Sequence, residues 1–243
     1  YASEEGVAIV AAGGNDAVDQ LSFPARYEDV VAVSGVDAGG RKAPFANEGA
    51  ELDIAAPAMG VAAAAPDGQI ISFTGTSAAA PFVSGLIAYL VGEGMNKSEA
   101  IELLKTHSND SGPAGEDSVY GAGVMNVERI LRREQQGVYD AAVADTYIVT
   151  SPEGQHQLVV TAENRGTEDI KDLKVSVVID GREVVRSLDN VSVGSTIGLE
   201  IPVSVNSGAA LDIMAGVSVT GHEDVDLSNN GRRSILLPVR EDR

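Results

Sequence analysis

The feature that most constrains how this chain folds is a change of apolar period near residue 135. Before it, short apolar runs bounded by turn residues, over 7–12 and 30–36, alternate with helical patterns and many small residues. Continuous apolar runs of that length read as strands buried on both faces, and strands alternating with helices imply a parallel α/β sheet. After the polar joint Arg132-Arg-Glu-Gln-Gln136-Gly137 the period becomes two. Leu173, Val175, Val177 and Ile179 alternate with Lys174, Ser176 and Val178, and Asp180-Gly181 supplies a two-residue hairpin turn. Ile197, Leu199, Ile201, Val203 and Val205 alternate again, with Pro202 marking an edge or a bulge, and Leu211, Ile213, Ala215, Val217 and Val219 form a third series. Strands so spaced, without helical patterns, indicate a β-sandwich of about seven strands. The expected architecture is a partial parallel sheet with helices over 1–133, then an all-β immunoglobulin-like sandwich over 138–243.

Within the first part, residues 77–91 read as a helix that is apolar on nearly every face and hence fully buried, with Pro81 in its first turn. Asn96 followed by Glu99 reads as a capping box, and Ala100, Leu103 and Leu104 give the next helix one apolar stripe. Functional residues of an open parallel sheet sit at strand ends and helix starts, which is where Asn15 and Ser77 fall.

The segment Phe73-Thr-Gly-Thr-Ser77-Ala-Ala-Ala-Pro81-Phe-Val-Ser-Gly85 sets a serine at the mouth of that helix. Gly75 permits a sharp turn, Thr76 and Ala78 keep bulk from the hydroxyl, and the helix N-terminus offers N–H groups to a developing oxyanion. On the local motif alone Ser77 is either a nucleophile or an N-cap.

Gly75-Thr-Ser77, followed by Ala-x-Ala-Pro81 and Val-x-Gly85, resembles the serine box of the subtilisin-like serine peptidases. Other boxes match in order: Val7-Ala-Ile-Val-Ala-Ala-Gly-Gly-Asn15-Asp16, Phe23-Pro24-Ala25-Arg26-Tyr27 running into Val30-Val-Ala-Val-Ser-Gly-Val-Asp37, Glu51-Leu-Asp-Ile-Ala-Ala-Pro57 and Tyr120-Gly-Ala-Gly-Val-Met-Asn126-Val127. The resemblance covers about residues 5–131. It implies a serine endopeptidase with Ser77 as nucleophile and Asn15 as side-chain donor to the oxyanion. It also implies a substrate pocket walled by Ala12, Gly13 and Gly14 and floored by Ser22, a serine that shortens it. Read without the resemblance, Asn15 is a turn residue after two glycines. In relatives, carbonyls that map to Ala25, Tyr27 and Val30 can bind calcium or sodium, so the resemblance allows a structural ion there; the chemistry itself requires no cofactor. Glu28 and Asp29 read equally as surface charges, and the acidic run Glu223-Asp224-Val-Asp226 lacks the ligand alternation of an EF-hand loop. Asn164-Arg-Gly-Thr167 and Asp224-Val-Asp-Leu-Ser-Asn229-Asn230 resemble CARDB-type immunoglobulin-like modules of secreted enzymes, which implies a surface or polymer ligand for the second part.

The family's triad also needs an aspartate and a histidine that precede the serine. His107, His156 and His222 all follow Ser77, and none is followed by Gly-Thr. The expectation is that both lie upstream, outside this sequence, and that the chain alone is inactive. The competing reading is a non-catalytic adhesion or binding protein built on a degenerate peptidase; it gains from the missing residues and loses because Ser77 and Asn15 are both kept. An α/β-hydrolase would require a glycine where Ala79 stands. Acidic residues number 36 against 17 basic, a net charge of −19, which repels nucleic acid and anionic membranes. No cysteine is present, so disulfides and thiolate chemistry are excluded. No apolar run is long enough to span a membrane, and scarce lysine fits a secreted protein as well as an ordinary acidic surface.

Overall fold

The computed structural model describes residues 1–66, 68–151, 155–204 and 210–236. The chain forms two compact units, Tyr1–Ser111 with Gly115–Leu131, and Gly112–Ala114 with Arg132–Arg243.

In the first unit β1 (Ile9–Ala12), β2 (Val30–Val36) and β3 (Ile54–Pro57) form a parallel sheet in chain order. β2 is central and buried at every residue, as a near-continuous apolar run flanked by two strands must be. β1 is shorter than the apolar run over 7–12 suggests: Val7 lies outside it and is exposed, and β1 is only half-buried. The helix α1 (Thr76–Gly92) packs across the three strands through Ala79, Val83, Leu86, Ile87 and Leu90. It is not fully buried: Phe82, Tyr89 and Val91 are each more than 40% exposed. Uniform apolarity does not say how many faces meet a neighbour, and among the described residues the sheet covers one. Pro81 stands in the second turn of α1, not the first, because the helix begins at Thr76. A hairpin of β4 (Val61–Ala64) and β5 (Ile70–Phe73), unanticipated from the sequence, leads into α1.

The helix α2 (Lys97–Thr106) starts as its sequence indicates. Asn96 accepts from the Ser98 and Glu99 N–H groups, Glu99 returns a bond to the Asn96 N–H, and Ala100 and Leu104 face the core. A short α3 (Val127–Arg132) adds Ile130 to the same core.

The second unit has two antiparallel sheets. One contains β6 (Ala141–Thr150), β7 (His156–Asn164) and β10 (Thr196–Val203), ordered β10-β7-β6. The other contains β8 (Ile170–Ile179), β9 (Arg182–Val191), β11 (Leu211–Val219) and β12 (Gly231–Leu236), ordered β12-β11-β8-β9. Alternate residues of both sheets enter one core, with Leu158, Val160 and Ile201 from the first and Leu173, Val175, Val177, Ile213 and Val217 from the second. The Asp180-Gly181 turn has φ of 48° and 80°, the left-handed pair of a tight hairpin, and closes Ile179 onto Arg182. Pro202 lies in β10, at the edge of its sheet, where its missing N–H breaks no ladder between strands. Val205, the last residue of that apolar series, lies outside the described residues.

Candidate active site

The carboxyl end of β1 and the amino end of α1 meet through two side chains. β1 ends at Ala12, and Gly13-Gly14-Asn15 turns away from the sheet, with the Gly13 N–H on the Val33 carbonyl at 2.8 Å. Gly75 caps α1 with φ 147°, a left-handed value that a side chain would resist. Its N–H donates to the Ala58 carbonyl at 2.8 Å, which ties the turn to the residue after β3.

Thr76 is fully buried. Its N–H and its hydroxyl both donate to Asn15 Oδ1, at 2.8 and 3.0 Å, and its hydroxyl accepts from the Gly14 N–H at 3.3 Å. Two donors on one amide oxygen fix which way the amide faces, so Asn15 Nδ2 is turned to the other side as a donor. That nitrogen would lie 3.7 Å from a Cβ placed on Gly75.

Ser77 is exposed, one residue further into the helix. It is not the cap: Gly75 is, and no side-chain bond caps this helix. Among the described residues its hydroxyl has no hydrogen-bond partner. Pro81 has no N–H to give to the Ser77 carbonyl four residues earlier, so that bond of the helix is missing.

Ala12 is half-buried, and Gly13 and Gly14 are buried. The Ser22 N–H donates to the Gly13 carbonyl at 2.7 Å, which folds the 14–22 loop back on the turn. A Cβ on Gly14, whose φ is 117°, would fall 2.5 Å from Ser22 Oγ and 2.3 Å from Asn47 Nδ2. The glycine is therefore required both by its backbone and by its neighbours. The structure brings Asn15, Gly14 and Thr76 into direct contact and sets Ser22 beside Gly14.

Sequence reasoning missed two residues. Thr76 carries the signal of its place before the serine, which speaks to its size but not to the bonds its hydroxyl makes. Asn47, in Ala46-Asn47-Glu48, offered no signal, because an asparagine in a loop reads as a surface turn residue. It is buried, and its amide lies among the atoms of the 14–22 loop.

The histidines are engaged elsewhere. The His107 ring meets the Leu103 carbonyl and Thr106 Oγ1, while His156 meets Thr150 and His222 stacks on Tyr139 at 3.8 Å, both within the second unit. Of the three candidate cation carbonyls, that of Tyr27 already accepts from the Val30 N–H at 3.0 Å. Among the described residues no group of three or more His, Asp or Glu side chains is arranged to hold a metal ion, and no helix is long and apolar enough to cross a membrane.

A parallel sheet with helices here brings an asparagine amide and an exposed serine to one helix start, two of the groups that a serine peptidase of α/β type uses. The chain belongs to the subtilase family, peptidase S8, whose family model matches residues 1–123. It is 36% identical over 132 residues to alkaline elastase YaB of Bacillus sp. (strain YaB), covering 54% of this chain and 34% of that one. The same identity and length relate it to subtilisin BL of Lederbergia lenta, of which 48% is covered. The chain thus spans a third to a half of the length of these relatives. Among solved structures, a lanthipeptide protease aligns with a TM-score of 0.50 at 22% identity, over 54% of this chain and 52% of that one, a likeness of fold.

Proposed function

We propose that residues 1–131 carry the nucleophile and the oxyanion-binding groups of a serine endopeptidase that hydrolyses peptide bonds in protein or peptide substrates. The observation that carries this reading is the clamp of Asn15 Oδ1 by the N–H and hydroxyl of Thr76. It leaves the Asn15 Nδ2 donor free beside an uncapped, exposed serine. In the reaction Ser77 Oγ attacks the scissile carbonyl, and the carbonyl oxygen takes up the electron pair. Asn15 Nδ2 and the Ser77 N–H then donate to that oxyanion, in place before the charge develops. Ala12, Gly13, Gly14 and Ser22 line a short pocket for the substrate side chain.

The proton of Ser77 needs a base. His107 is tied to its own helix end, and His156 and His222 belong to the other unit, so we assign the base and its aspartate to residues outside these 243. The second unit is read as an immunoglobulin-like, CARDB-like module. In support, the first, second and fifth of its strands form one sheet and the remaining four the other. Its task would be docking to a surface or polymer outside the cell. A structural calcium or sodium ion on the Ala25, Tyr27 and Val30 carbonyls belongs to the same reading.

The test is hydrolysis of a chromogenic peptide by the full-length protein. Ser77→Ala is expected to abolish it with the melting curve unchanged. Asn15→Ala is expected to lower kcat by roughly 10²–10³ with little change in KM, the loss measured for this kind of donor in subtilisin. Full activity in Ser77→Ala refutes the nucleophile assignment, whereas no hydrolysis by the wild-type full-length protein returns the chain to the binding-protein reading.

A further inference from the structure

We propose that Asn47 is the positioning residue that sets the oxyanion donor and the pocket floor together; this rests on the roles given above to Asn15 and Ser22. Asn47 is 1% exposed and its backbone is not left-handed, so neither solvent nor a turn accounts for an asparagine there. Its hydrogen bonds do. The Asn47 N–H donates to the Gly14 carbonyl at 3.2 Å, and its Oδ1 accepts from the Asp16 N–H at 2.8 Å. These are the two peptide groups that flank Asn15, so one residue holds both sides of the oxyanion donor without touching its side chain. The same Oδ1 accepts from the Val18 N–H at 3.4 Å. On its other side Nδ2 donates to the Gln20 carbonyl at 3.0 Å and reaches Ser22 Oγ at 3.5 Å. The loop from 14 to 22 is therefore closed around one buried amide, with the oxyanion donor at one end and the pocket floor at the other.

An amide is the only neutral side chain that offers both an acceptor to two N–H groups and a donor to a carbonyl and a hydroxyl in this space. Asn47→Asp keeps the shape, removes the donor and, when ionised, adds a negative charge. It keeps the acceptor facing the Asp16 N–H but sets a carboxylate oxygen against the Gln20 carbonyl. Displacement of Asn15 by about 1 Å lowers turnover by up to about 10²-fold. Burial favours the neutral form of the introduced carboxyl, and once protonated it again has a donor for Gln20.

The experiment compares full-length wild type, Asn47→Asp and Ser77→Ala on peptides with alanine or phenylalanine at P1, from pH 5.5 to 9. At pH 8 Asn47→Asp is expected to lose about 10- to 100-fold in kcat and to change its preference between the two peptides. Its deficit relative to wild type is expected to narrow as the pH falls. Wild-type kcat and P1 preference at pH 8 overturn the proposal, as does a deficit that is the same at every pH. Hydrogen exchange on the same proteins reads the loop without catalysis: residues 16–22 are expected to exchange faster in Asn47→Asp at pH 8, with β2 and α1 unchanged. Unchanged exchange of that loop also overturns it. Hydrolysis surviving in Ser77→Ala would refute the nucleophile assignment instead, and the exchange measurement would still decide the role of Asn47.

Discussion

Removing the Thr76 hydroxyl separates the two tasks of that residue. In Thr76→Val the shape is kept, and the backbone N–H still donates to Asn15 Oδ1 at 2.8 Å. The hydroxyl bond to the same oxygen, 3.0 Å, is lost, and the Gly14 N–H loses its acceptor at 3.3 Å. A buried N–H left without a partner costs about 1–3 kcal/mol, so the first unit is expected to lose stability in that range. Loss of one of two bonds fixing the Asn15 amide is worth about 1 kcal/mol, or roughly fivefold in kcat, with KM nearly constant. Thr76→Ser is the control. It keeps both tethers and loses only a methyl, which lies 3.4 Å from where a Cβ on Gly35 would stand. A buried methyl is worth about 0.8 kcal/mol, so this variant is expected to melt earlier but turn over like wild type. The assay is steady-state hydrolysis of a chromogenic peptide by the full-length protein, beside urea unfolding of each variant. An unchanged kcat in Thr76→Val, or an equal fall in kcat for both variants, would refute the idea that the hydroxyl orients Asn15.

Three further outcomes follow from the structure. Asn164 is fully buried and donates to the Glu168 and Val191 carbonyls, both at 2.9 Å, while accepting from the Gly166 N–H at 3.0 Å. Asn164→Ala is expected to destabilise the second unit by about 3 kcal/mol, measured by urea unfolding; a loss below about 1 kcal/mol would contradict it. Burial, with the nearby Asp224 and Asp226 carboxylates, raises the Asp140 carboxyl above its ordinary value against the pull of Asn229 and Arg165. The folded state then holds the proton that the unfolded state releases, so this group's contribution falls as pH rises from the ordinary carboxylate pKa through the raised one. Asp140→Asn keeps an acceptor for Asn229 and is expected to raise the melting temperature at pH 7 but not at pH 3; an equal rise at both would remove charge as the cause. Asp226 has the opposite sign: the Ser228 hydroxyl bond lowers its pKa, so its contribution is present above the ordinary value and lost as pH falls through the lowered one. The pH dependence of melting in Asp226→Asn relative to wild type reads that slope.

How much of this was legible in the sequence depended on whether a residue's surroundings lie near it in the chain. In the second unit the inward residues of the strands and the Asp180-Gly181 turn were legible, because alternation states which face of a strand is inside. The capping box at Asn96 and Glu99 was equally local. The small residues of the Ala12–Gly14 turn signalled close approach, though not which atoms approach. The outer face of α1 was misread, since Phe82, Tyr89 and Val91 are as apolar as the residues that do meet the sheet. Asn47 was invisible because its partners, Gly14 to Ser22, lie 25 or more residues away and are contacted mainly through backbone atoms that no composition reveals.

The absent ladder bond at Pro81 changes what the serine is mechanically attached to. A residue in the opening turn of a helix normally moves with the rod behind it, because each carbonyl grips an N–H one turn on. Ser77 has lost that grip, while the two residues before it are fastened outward, Gly75 to the Ala58 carbonyl and Thr76 to Asn15. The serine is therefore held on its amino side by the turns after β1 and β3 as well as by α1, so a shift in either turn would move it together with the Asn15 amide.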